Sequence, residues 1–306
     1  MRVLVTGASG FIGRPLCTAL ARAGHSVRAA MRDCRAVGFP DHVETVRLPD
    51  LAGPLDWAPL LAGVDAVVHL AAIAHAGREV ADASYDQVNH RATAALARAA
   101  AAAGVRFVFV SSIGAQSAAT ADRPLSEDDE PRPAKVYGHA KLAAENAVRA
   151  SGVKYTILRP MLVYGPDPKG NIARLQWLAD LPVPLPFAWL REPRSLLARD
   201  NLVSAIQFAL EDGRAANETF IVADAETVSV AEIIAILRTA SGRRPALIPV
   251  PPRLMAFASS VLGRREQWDQ LAGSLVAPPR KLMAAGWRPV TDPRSAFAAM
   301  AHRRAE

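Results

Sequence analysis

The sequence predicts an α/β fold, in which a doubly wound parallel sheet is joined to a smaller C-terminal lobe. Short β-branched runs alternate with alanine-rich helical stretches through the first half of the chain. The runs are apolar throughout, which is typical of parallel strands covered on both faces. After residue 160 the composition changes, and a proline-rich segment, "LPVPLPFAW", occupies residues 181–189.

Five of the apolar runs predict strands of the sheet: Arg2–Thr6, Ser26–Met31, Ala66–Ala72, Arg106–Ser112 and Lys154–Pro160. Two alanine-rich stretches between them, at 89–104 and 138–152, predict helices because alanine has the highest helix propensity. Ligands of such sheets bind beyond the carboxyl ends of the strands, so we expect the site there.

A glycine-rich turn, "TGASGFIG", links the first predicted strand to the first predicted helix. Gly7 allows the tight turn, Gly10 lets the backbone approach a pyrophosphate, and Gly13 permits close packing of helix on strand. Strand, glycines and helix follow in the order of a Rossmann-type fold. The turn therefore predicts a dinucleotide site, although its spacing differs from the commoner G-x-G-x-x-G and a merely structural turn is the alternative. Three further residues of the turn are assigned to this site: Ser9, Phe11 and Ile12.

The end of the second strand bears on which dinucleotide binds. NAD sites usually place Asp or Glu there to hold the ribose hydroxyls, whereas this chain has Met31 and Arg32. A guanidinium can bind a 2′-phosphate. We therefore predict that NADP(H) is preferred, with NAD(H) as the alternative because Asp33 follows directly.

The segment "VYGHAK" contains a candidate acid/base pair. Tyr137 and Lys141 are four residues apart, so on a helix they share a face and can reach one site. A lone pair of this kind also occurs on ordinary surface helices. Here it follows "FVSSIG", which places Ser112 at the end of a predicted strand, and precedes "LRPMLVYGP". The three residues are the candidate catalytic group.

Together with the glycine turn, these motifs resemble the extended short-chain dehydrogenase/reductase family, and within it the nucleotide-sugar epimerases and reductases. The resemblance covers almost the whole chain. It implies a homodimer built from the two alanine-rich helices, and it assigns further residues to the cofactor: Asp50 and Leu51 in "LPDL", Leu70, Ala71 and Ala72 in "HLAA", Asn89 in "QVNHRAT", Tyr137, Lys141 and Pro160.

The same resemblance implies which residues contact the substrate, a nucleotide sugar with UDP as the expected nucleotide. Ser112 and Tyr137 are expected at the reacting sugar. Arg194, which leads "RSLLARDNLVSAI", matches the residue that binds the diphosphate, and Asn171 in "KGN" is a second contact.

The implied chemistry is hydride transfer at the sugar C4. Tyr137 would exchange a proton with the sugar hydroxyl, Lys141 would lower the pKa of Tyr137, and Ser112 would hold the same oxygen. A 4-epimerase and a 4-keto-sugar reductase both fit. Dehydration is disfavoured, because Ile113 and Gly114 stand where dehydratases carry an acidic pair.

Two observations limit this reading. Leu162 stands where epimerases have an Asn in the substrate lobe, which weakens a claim to galactose chemistry. The alternative of a different class is a non-catalytic NADP-sensing or scaffold protein on the same fold, although such relatives usually lose the Tyr or the Lys, and both are present here.

Composition restricts the partners. The 306 residues carry a net charge of +7 with a pI near 9.9, but the basic residues are dispersed, so we expect a small anionic substrate and no nucleic acid. Cys17 and Cys34 match no metal or redox spacing, and no signal peptide precedes the first strand. We therefore expect a cytoplasmic protein without a metal site. The longest apolar stretches fall short of the ~20 residues of a membrane span.

These observations divide the chain into two parts. Residues 1–160 are predicted to form the NAD(P)-binding Rossmann domain, and residues 161–306 the substrate-binding lobe. A segment at about 195–225 is predicted to return to the Rossmann domain.

Overall fold

A computed structural model describes residues 1–34, 38–40, 42–74, 81–168, 170–261, 263 and 265–302. Its strands are β1 (Arg2–Thr6), β2 (Ser26–Met31), β3 (Val43–Arg47), β4 (Ala66–His69), β5 (Arg106–Val110), β6 (Tyr155–Pro160), β7 (Leu162–Tyr164), β8 (Leu196–Ala198) and β9 (Glu218–Val222). Seven of them form one parallel sheet in the order β3-β2-β1-β4-β5-β6-β9, and β7 pairs with β8 in a second, two-stranded sheet. The predicted fold class is confirmed.

The order of the large sheet reverses at β1, which has β2 on one side and β4 on the other. Val3 of β1 lies opposite Val27 in one neighbour and opposite Ala66 in the other. In open α/β sheets the ligand crevice lies at such a reversal, outside the carboxyl ends of the strands. We therefore expect the ligand site beside the residues that follow β1 and β4.

The α-helices of the described residues are α1 (Gly13–Arg22), α2 (Ala58–Leu61), α3 (Asp82–Tyr85), α4 (Ala92–Ala102), α5 (Val136–Ala150), α6 (Gly170–Asp180), α7 (Arg199–Glu211), α8 (Val230–Ala240), α9 (Pro252–Val261), α10 (Arg265–Ala272), α11 (Arg280–Ala284) and α12 (Pro293–His302). A π-helical turn, Asp86–Arg91, joins α3 to α4, and a short 3₁₀ turn, Ile113–Ala115, follows β5.

Two hydrophobic cores cover the faces of the sheet. Successive residues of a strand point to opposite faces, so Val3 and Val5 pack with α1 residues such as Leu16, while Leu4 packs with the opposite cluster that includes Phe107. Both faces are buried, as the continuous apolar runs predicted.

A third core holds the C-terminal elements together. The rings of Tyr164 and Phe297 stack with centroids 4.1 Å apart. Helix α8 begins with a capping box, because the Ser229 side chain accepts from the Glu232 amide and the Glu232 carboxylate accepts from the Ser229 amide. The sequence pattern "SVAE" predicts this helix start.

The structure differs from the sequence prediction at several strands. The strands β3, β7, β8 and β9 were not among the five predicted, and β4 and β5 end at His69 and Val110, earlier than expected. Residues 218–222 form an edge of the large sheet by pairing with β6. The exact division at residue 160 stays a prediction.

Candidate active site

The glycine-rich turn after β1 is compressed against the end of β4. Gly7 has a φ of +72°, and a Cβ atom there would lie 2.9 Å from the amide nitrogen of Ala71. At Gly13 a Cβ would overlap the carbonyl oxygen of Gly7 and lie 2.7 Å from the Cα of Ala8. Side chains are therefore excluded at both positions, and the turn lies directly beside Leu70 and Ala71.

The turn leaves backbone donors at the start of α1. Gly10 donates its amide to Gly7, 3.0 Å away. Within the described part of the chain, the amides of Phe11 and Ile12 have no carbonyl partner, and Ser9 and Gly10 are exposed. Such amides at a helix N-terminus bind phosphate groups. The turn therefore fits the pyrophosphate of a dinucleotide.

A buried chain of hydrogen bonds fixes the carboxyl ends of β1 and β4. Thr93 donates its hydroxyl to the Asn89 carbonyl at 2.8 Å, so its oxygen can accept from Nε2 of His69 at 3.0 Å. The other ring nitrogen, Nδ1, then accepts from the Thr6 hydroxyl at 2.7 Å, and the Thr6 oxygen accepts from the Ala71 amide at 3.3 Å. Burial lowers the pKa of His69 to about 3. The ring is neutral and structural.

Asn89 supports the segment that follows β4. It is fully buried, and its side-chain oxygen accepts from the Ile73 amide at 2.8 Å while its nitrogen donates to the Ile73 carbonyl at 2.9 Å. Both contacts position Ala72 and its neighbours. The structure thus gives this predicted cofactor residue a supporting role through the backbone.

The candidate catalytic side chains meet at the carboxyl end of β5, the sheet edge that also carries the glycine turn. Ser112 is the N-cap of the 3₁₀ turn, and its Oγ accepts from the Gly114 amide at 3.0 Å. A Cβ atom on Gly114 would lie 3.3 Å from that Oγ and 3.8 Å from Cδ1 of Tyr137. The Ser112 hydroxyl and the Tyr137 ring therefore flank one glycine.

A second glycine makes this approach possible. A Cβ on Gly138 would overlap the carbonyl oxygen of Gly114 and lie 3.1 Å from Cβ of Pro133. Helix α5 can rest on the 3₁₀ turn only because residue 138 has no side chain. Sequence reasoning missed this contact, although the glycines in "SSIG" and "YGHAK" are its visible signal.

Lys141 lies one helical turn beyond Tyr137 and is almost fully buried. Its Nζ donates to the Val110 carbonyl at 3.0 Å and lies 4.7 Å from the centre of the Phe109 ring. Burial lowers the pKa of Lys141 to about 8, against the opposing charge of Glu145. The Lys141 ammonium is thus held at a buried site where its charge is costly.

The pKa of Tyr137 departs from the expectation. Burial raises the pKa of the phenol, the Ser112 hydroxyl opposes this by hydrogen bonding, and Tyr85 adds to the rise. The sequence argument expected Lys141 to lower it. In the chain alone desolvation of the phenolate outweighs the other contributions.

A buried ionic network lies behind the site and was not foreseen. The Glu145 carboxylate is fully buried and accepts from the Ser111 hydroxyl at 2.6 Å, from Arg159 at 2.6 and 2.9 Å, and from Arg149 at 3.0 Å. Arg159 also donates to the Gln116 side chain. The network ties α5 to β5 and β6. Its signal in the sequence is Glu145 four residues after Lys141, together with the Arg that precedes Pro160.

The remaining predicted cofactor residues lie on or near the same edge. Arg32 is exposed after β2, and Asp50 is exposed and accepts from the Ala52 amide at 3.1 Å. Leu51 is buried in the core, whereas Leu70 and Ala72 are partly exposed and Pro160 is the last residue of β6. Their contacts with a dinucleotide remain predictions.

The predicted substrate residues lie in the C-terminal part of the chain. Asn171 is exposed at the start of α6. Arg194 donates to the Gly273 carbonyl, and burial lowers its pKa. The residue just before it, Pro193, lines a cavity of about 730 Å³ whose walls are Thr120–Pro124, Glu192, Pro193, Ala272–Ser274 and Val276.

The cavity is closed on one side by backbone pairing. The Ala121 amide donates to the Ser274 carbonyl at 3.0 Å, and the Leu125 amide donates to Val276 at 2.8 Å. Arg123 pairs with Asp129 at 2.6 Å within the same segment. The loop that precedes α5 thereby joins the Rossmann-type sheet to the C-terminal elements.

A Rossmann-type sheet whose edge carries a glycine turn, a Ser, a Tyr and a Lys defines an extended short-chain dehydrogenase/reductase. Residues 3–223 match the NAD dependent epimerase/dehydratase family, and the chain belongs to that family. A UDP-glucose 4-epimerase of Vibrio cholerae is 33% identical over 299 residues, covering 94% of this chain and 90% of that protein.

Solved structures agree on the architecture. A UDP-glucuronic acid 4-epimerase of Bacillus cereus in complex with NAD has a TM-score of 0.78 at 22% identity, with 100% of both chains covered. MoeE5, in complex with UDP-glucuronic acid and NAD, has a TM-score of 0.77 at 27% identity, also over 100% of both chains. A 2′-dehydrokanamycin reductase of Streptomyces kanamyceticus is 31% identical over 285 residues, covering 89% of this chain and 76% of that protein.

The described residues contain neither a metal-binding cluster nor a membrane-spanning helix. No group of three or more His, Cys, Asp or Glu side chains there could hold a metal ion. No helix within the described ranges has the length and apolar character needed to cross a bilayer.

Proposed function

We propose that this chain is an NAD(P)-dependent nucleotide-sugar oxidoreductase that acts at the sugar C4, as a 4-epimerase or a 4-keto-sugar reductase of a UDP-sugar. The observation that carries the proposal is the meeting of Ser112 and Tyr137 on either side of Gly114, on the same sheet edge as the glycine turn. A hydroxyl of a substrate at this point would lie within reach of a donor and of a proton acceptor.

Each side chain has a part in the proposed reaction. Tyr137 accepts the proton of the C4 hydroxyl when the sugar is oxidised and returns a proton to the C4 oxygen when the keto group is reduced. Ser112 hydrogen-bonds the same oxygen and orients it. Lys141 places a positive charge one helical turn from Tyr137, which favours the phenolate that burial alone disfavours.

The residues of the glycine turn would hold the cofactor. The amides of Phe11 and Ile12 would bind its pyrophosphate, with Gly7, Gly10 and Gly13 allowing the approach. When bound, NAD(P) supplies the acceptor and donor of the hydride. We propose NADP(H) as the preferred form on the strength of the exposed Arg32; the solved complexes of the similar proteins contain NAD.

The two outcomes have separate support. The 4-epimerase is supported by the similarity to the UDP-glucose 4-epimerase of Vibrio cholerae over 94% of the chain. The 4-keto-sugar reductase is supported by Arg32 and by the similarity to the 2′-dehydrokanamycin reductase. The non-catalytic alternative is not favoured, because Ser112, Tyr137 and Lys141 are all present.

The substrate, the assembly and the location complete the proposal. Arg194 and Asn171 would contact the nucleotide sugar from the C-terminal elements, Arg194 from beside the cavity that Pro193 lines. We further propose a homodimer formed by α4 and α5, and a cytoplasmic location.

The test is the cofactor content of the purified protein followed by two assays. Denaturation of an aliquot releases the bound dinucleotide, which is quantified as NAD(H) or NADP(H). Retained NAD(H) and interconversion of UDP-glucose and UDP-galactose without added cofactor would establish the epimerase. Purified protein that retains no dinucleotide and that consumes NADPH in the presence of a UDP-4-keto-sugar would establish the reductase. The absence of both activities over a panel of UDP-sugars would refute the proposal.

A further inference from the structure

Helix α9 has an apolar face that the fold leaves uncovered. Leu254, Phe257 and Val261 are 61%, 69% and 71% exposed. Their spacing of three and four residues places them on one side of the helix. The opposite side, with Met255 and Ala256, packs against the third core. One face of the helix therefore packs in the fold, whereas the second apolar face is largely exposed in the described part of the chain.

The chain around this face is rich in arginine, and the next acids in sequence, Glu266 and Asp269, belong to α10. Between residues 233 and 265 the chain contains no Asp or Glu, and its arginines are Arg238, Arg243, Arg244, Arg253, Arg264 and Arg265. Arg243, Arg244, Arg253 and Arg265 are exposed, whereas Arg238 is buried among backbone carbonyls. An exposed apolar residue alone is ordinary. A stripe of three on one helix, within a segment in which positive charges outnumber negative ones, is a specific combination.

Two more exposed apolar side chains lie on segments that are joined to the start of α9. The Ala188 amide donates to the Ile248 carbonyl at 3.3 Å, and the Ile248 amide donates to Leu185 at 2.9 Å. Trp189 and Ile248 on these segments are 50% and 46% exposed. Tryptophan is enriched where proteins meet the boundary between lipid headgroups and acyl chains.

We propose that α9 binds an anionic membrane surface, lying in the plane of the bilayer. Leu254, Phe257 and Val261 enter the boundary between headgroups and acyl chains, and the neighbouring arginines contact lipid phosphates. The helix has 10 residues, which suits this orientation and does not suit a span.

The charge of the segment favours an anionic membrane over a second copy of the chain or a nucleic acid. A second copy of the chain would bring the same arginines face to face across a symmetric contact. A nucleic acid would satisfy the arginines but leave the apolar stripe in water. An anionic bilayer satisfies both features at once.

The proposal is independent of the proposed function, but it has a geometric consequence for the cavity. Helix α9 packs on α10, and the residues that continue from α10, Gly273 and Ser274, line the cavity. Binding through α9 therefore holds the cavity close to the membrane surface.

The experiment is co-sedimentation of the full chain with vesicles of phosphatidylcholine alone and of phosphatidylcholine with phosphatidylglycerol at a ratio of about 7:3. We expect binding to the anionic vesicles that is about tenfold or more tighter than to the neutral ones and that weakens as salt is raised. The triple variant Leu254→Ser, Phe257→Ser, Val261→Ser should lose most of this binding. Phe257→Ser alone should lose part of it, whereas the matched control Val290→Ser, at a residue 65% exposed elsewhere, should bind as the wild type does.

Three results would overturn the proposal. The first is a lack of binding to anionic vesicles, and the second is binding that the triple variant leaves unchanged. The third is a smaller particle mass for the triple variant in light scattering, which would make the face a contact between copies of the chain. Because the three substituted side chains are exposed, an unchanged thermal midpoint verifies that the variants are folded. Arg253→Gln should weaken binding to the anionic vesicles alone, and equal weakening on neutral vesicles would also count against the assignment.

Discussion

Gly138 of helix α5 sits directly on the carbonyl of Gly114, so closely that a Cβ atom at residue 138 would overlap that oxygen. This contact sets the distance between the Ser112 hydroxyl and the Tyr137 ring, because each belongs to one of the two elements. The geometry of the candidate site thus depends on a residue with no functional group.

Replacing Gly138 with Ala should therefore impair both stability and turnover. The added methyl group forces α5 away from the 3₁₀ turn, and overpacking of this kind typically costs about 1–3 kcal/mol. Thermal unfolding and kcat measure the two effects. Gly213→Ala is the matched control, because a Cβ there meets nothing within 4 Å. Equal behaviour of the two variants would contradict the packing argument.

Replacing Tyr137 with Phe should abolish proton exchange while preserving the fold and cofactor binding. We expect a loss of about 100-fold or more in kcat, since a positioned acid/base group contributes that much. Steady-state kinetics measure it, with whichever UDP-sugar supports turnover in the assays proposed for the function. Tyr155→Phe serves as the control for loss of a phenol elsewhere, and intact turnover in Tyr137→Phe would remove the catalytic assignment.

Replacing Glu145 with Gln should destabilise the protein strongly. The change leaves Arg159, which is 3% exposed, without its charge partner, and breaking a buried pair in this way typically costs about 3–5 kcal/mol. The comparison is Glu130→Gln, whose pairing with Arg132 lies at the surface, where such pairs contribute at most about 1 kcal/mol. Chemical denaturation distinguishes the two. A similar small effect in both would mean that the network is not a structural support.

The buried Lys141 should make stability rise with pH above about 8. Its pKa is lowered from 10.5 to about 8 in the folded protein, so between these values the unfolded chain binds more protons than the folded one. The free energy of unfolding therefore increases with pH in this window. Relative to Lys141→Met, the wild type should gain up to about 3 kcal/mol from pH 7 to 10.

The control for this pH effect is Lys154→Met, since Lys154 is exposed. Its stability should follow that of the wild type at every pH. A difference between wild type and Lys141→Met that does not change with pH would mean that the Lys141 ammonium is not penalised by burial.

Replacing Arg32 with Ala should weaken NADP(H) binding about tenfold or more while changing NAD(H) binding little, because a guanidinium pairs with the additional phosphate. Fluorescence titration with each dinucleotide measures the two dissociation constants. Arg22→Ala, another exposed arginine, controls for general loss of charge. Parallel weakening of both dinucleotides by Arg32→Ala would remove the basis for preferring NADP(H).

Much of the fold could be predicted from the sequence. The bounds of β1 and β2 match the apolar runs that predicted them, the capping box marks the start of α8, and the glycine turn occurs where strand and helix meet. Each of these depends on local chemistry. Buried parallel strands are continuously apolar, a capping box pairs Ser or Thr with Glu or Gln three residues later, and a backbone turn with positive φ favours glycine. The helical spacing of Tyr137 and Lys141 is local in the same sense.

Other features depend on contacts between distant residues, which no local pattern specifies. The edge strand β9 finds its place only by pairing with β6, and the mostly polar β3 is a strand only because β2 lies beside it. The pairing of Glu145 with Arg159, the overlap that makes Gly138 obligatory and the bond from Arg194 to Gly273 join segments that are separated in sequence. Composition and spacing therefore identify the candidate catalytic residues, whereas packing between elements sets their distances, their burial and hence their pKa values.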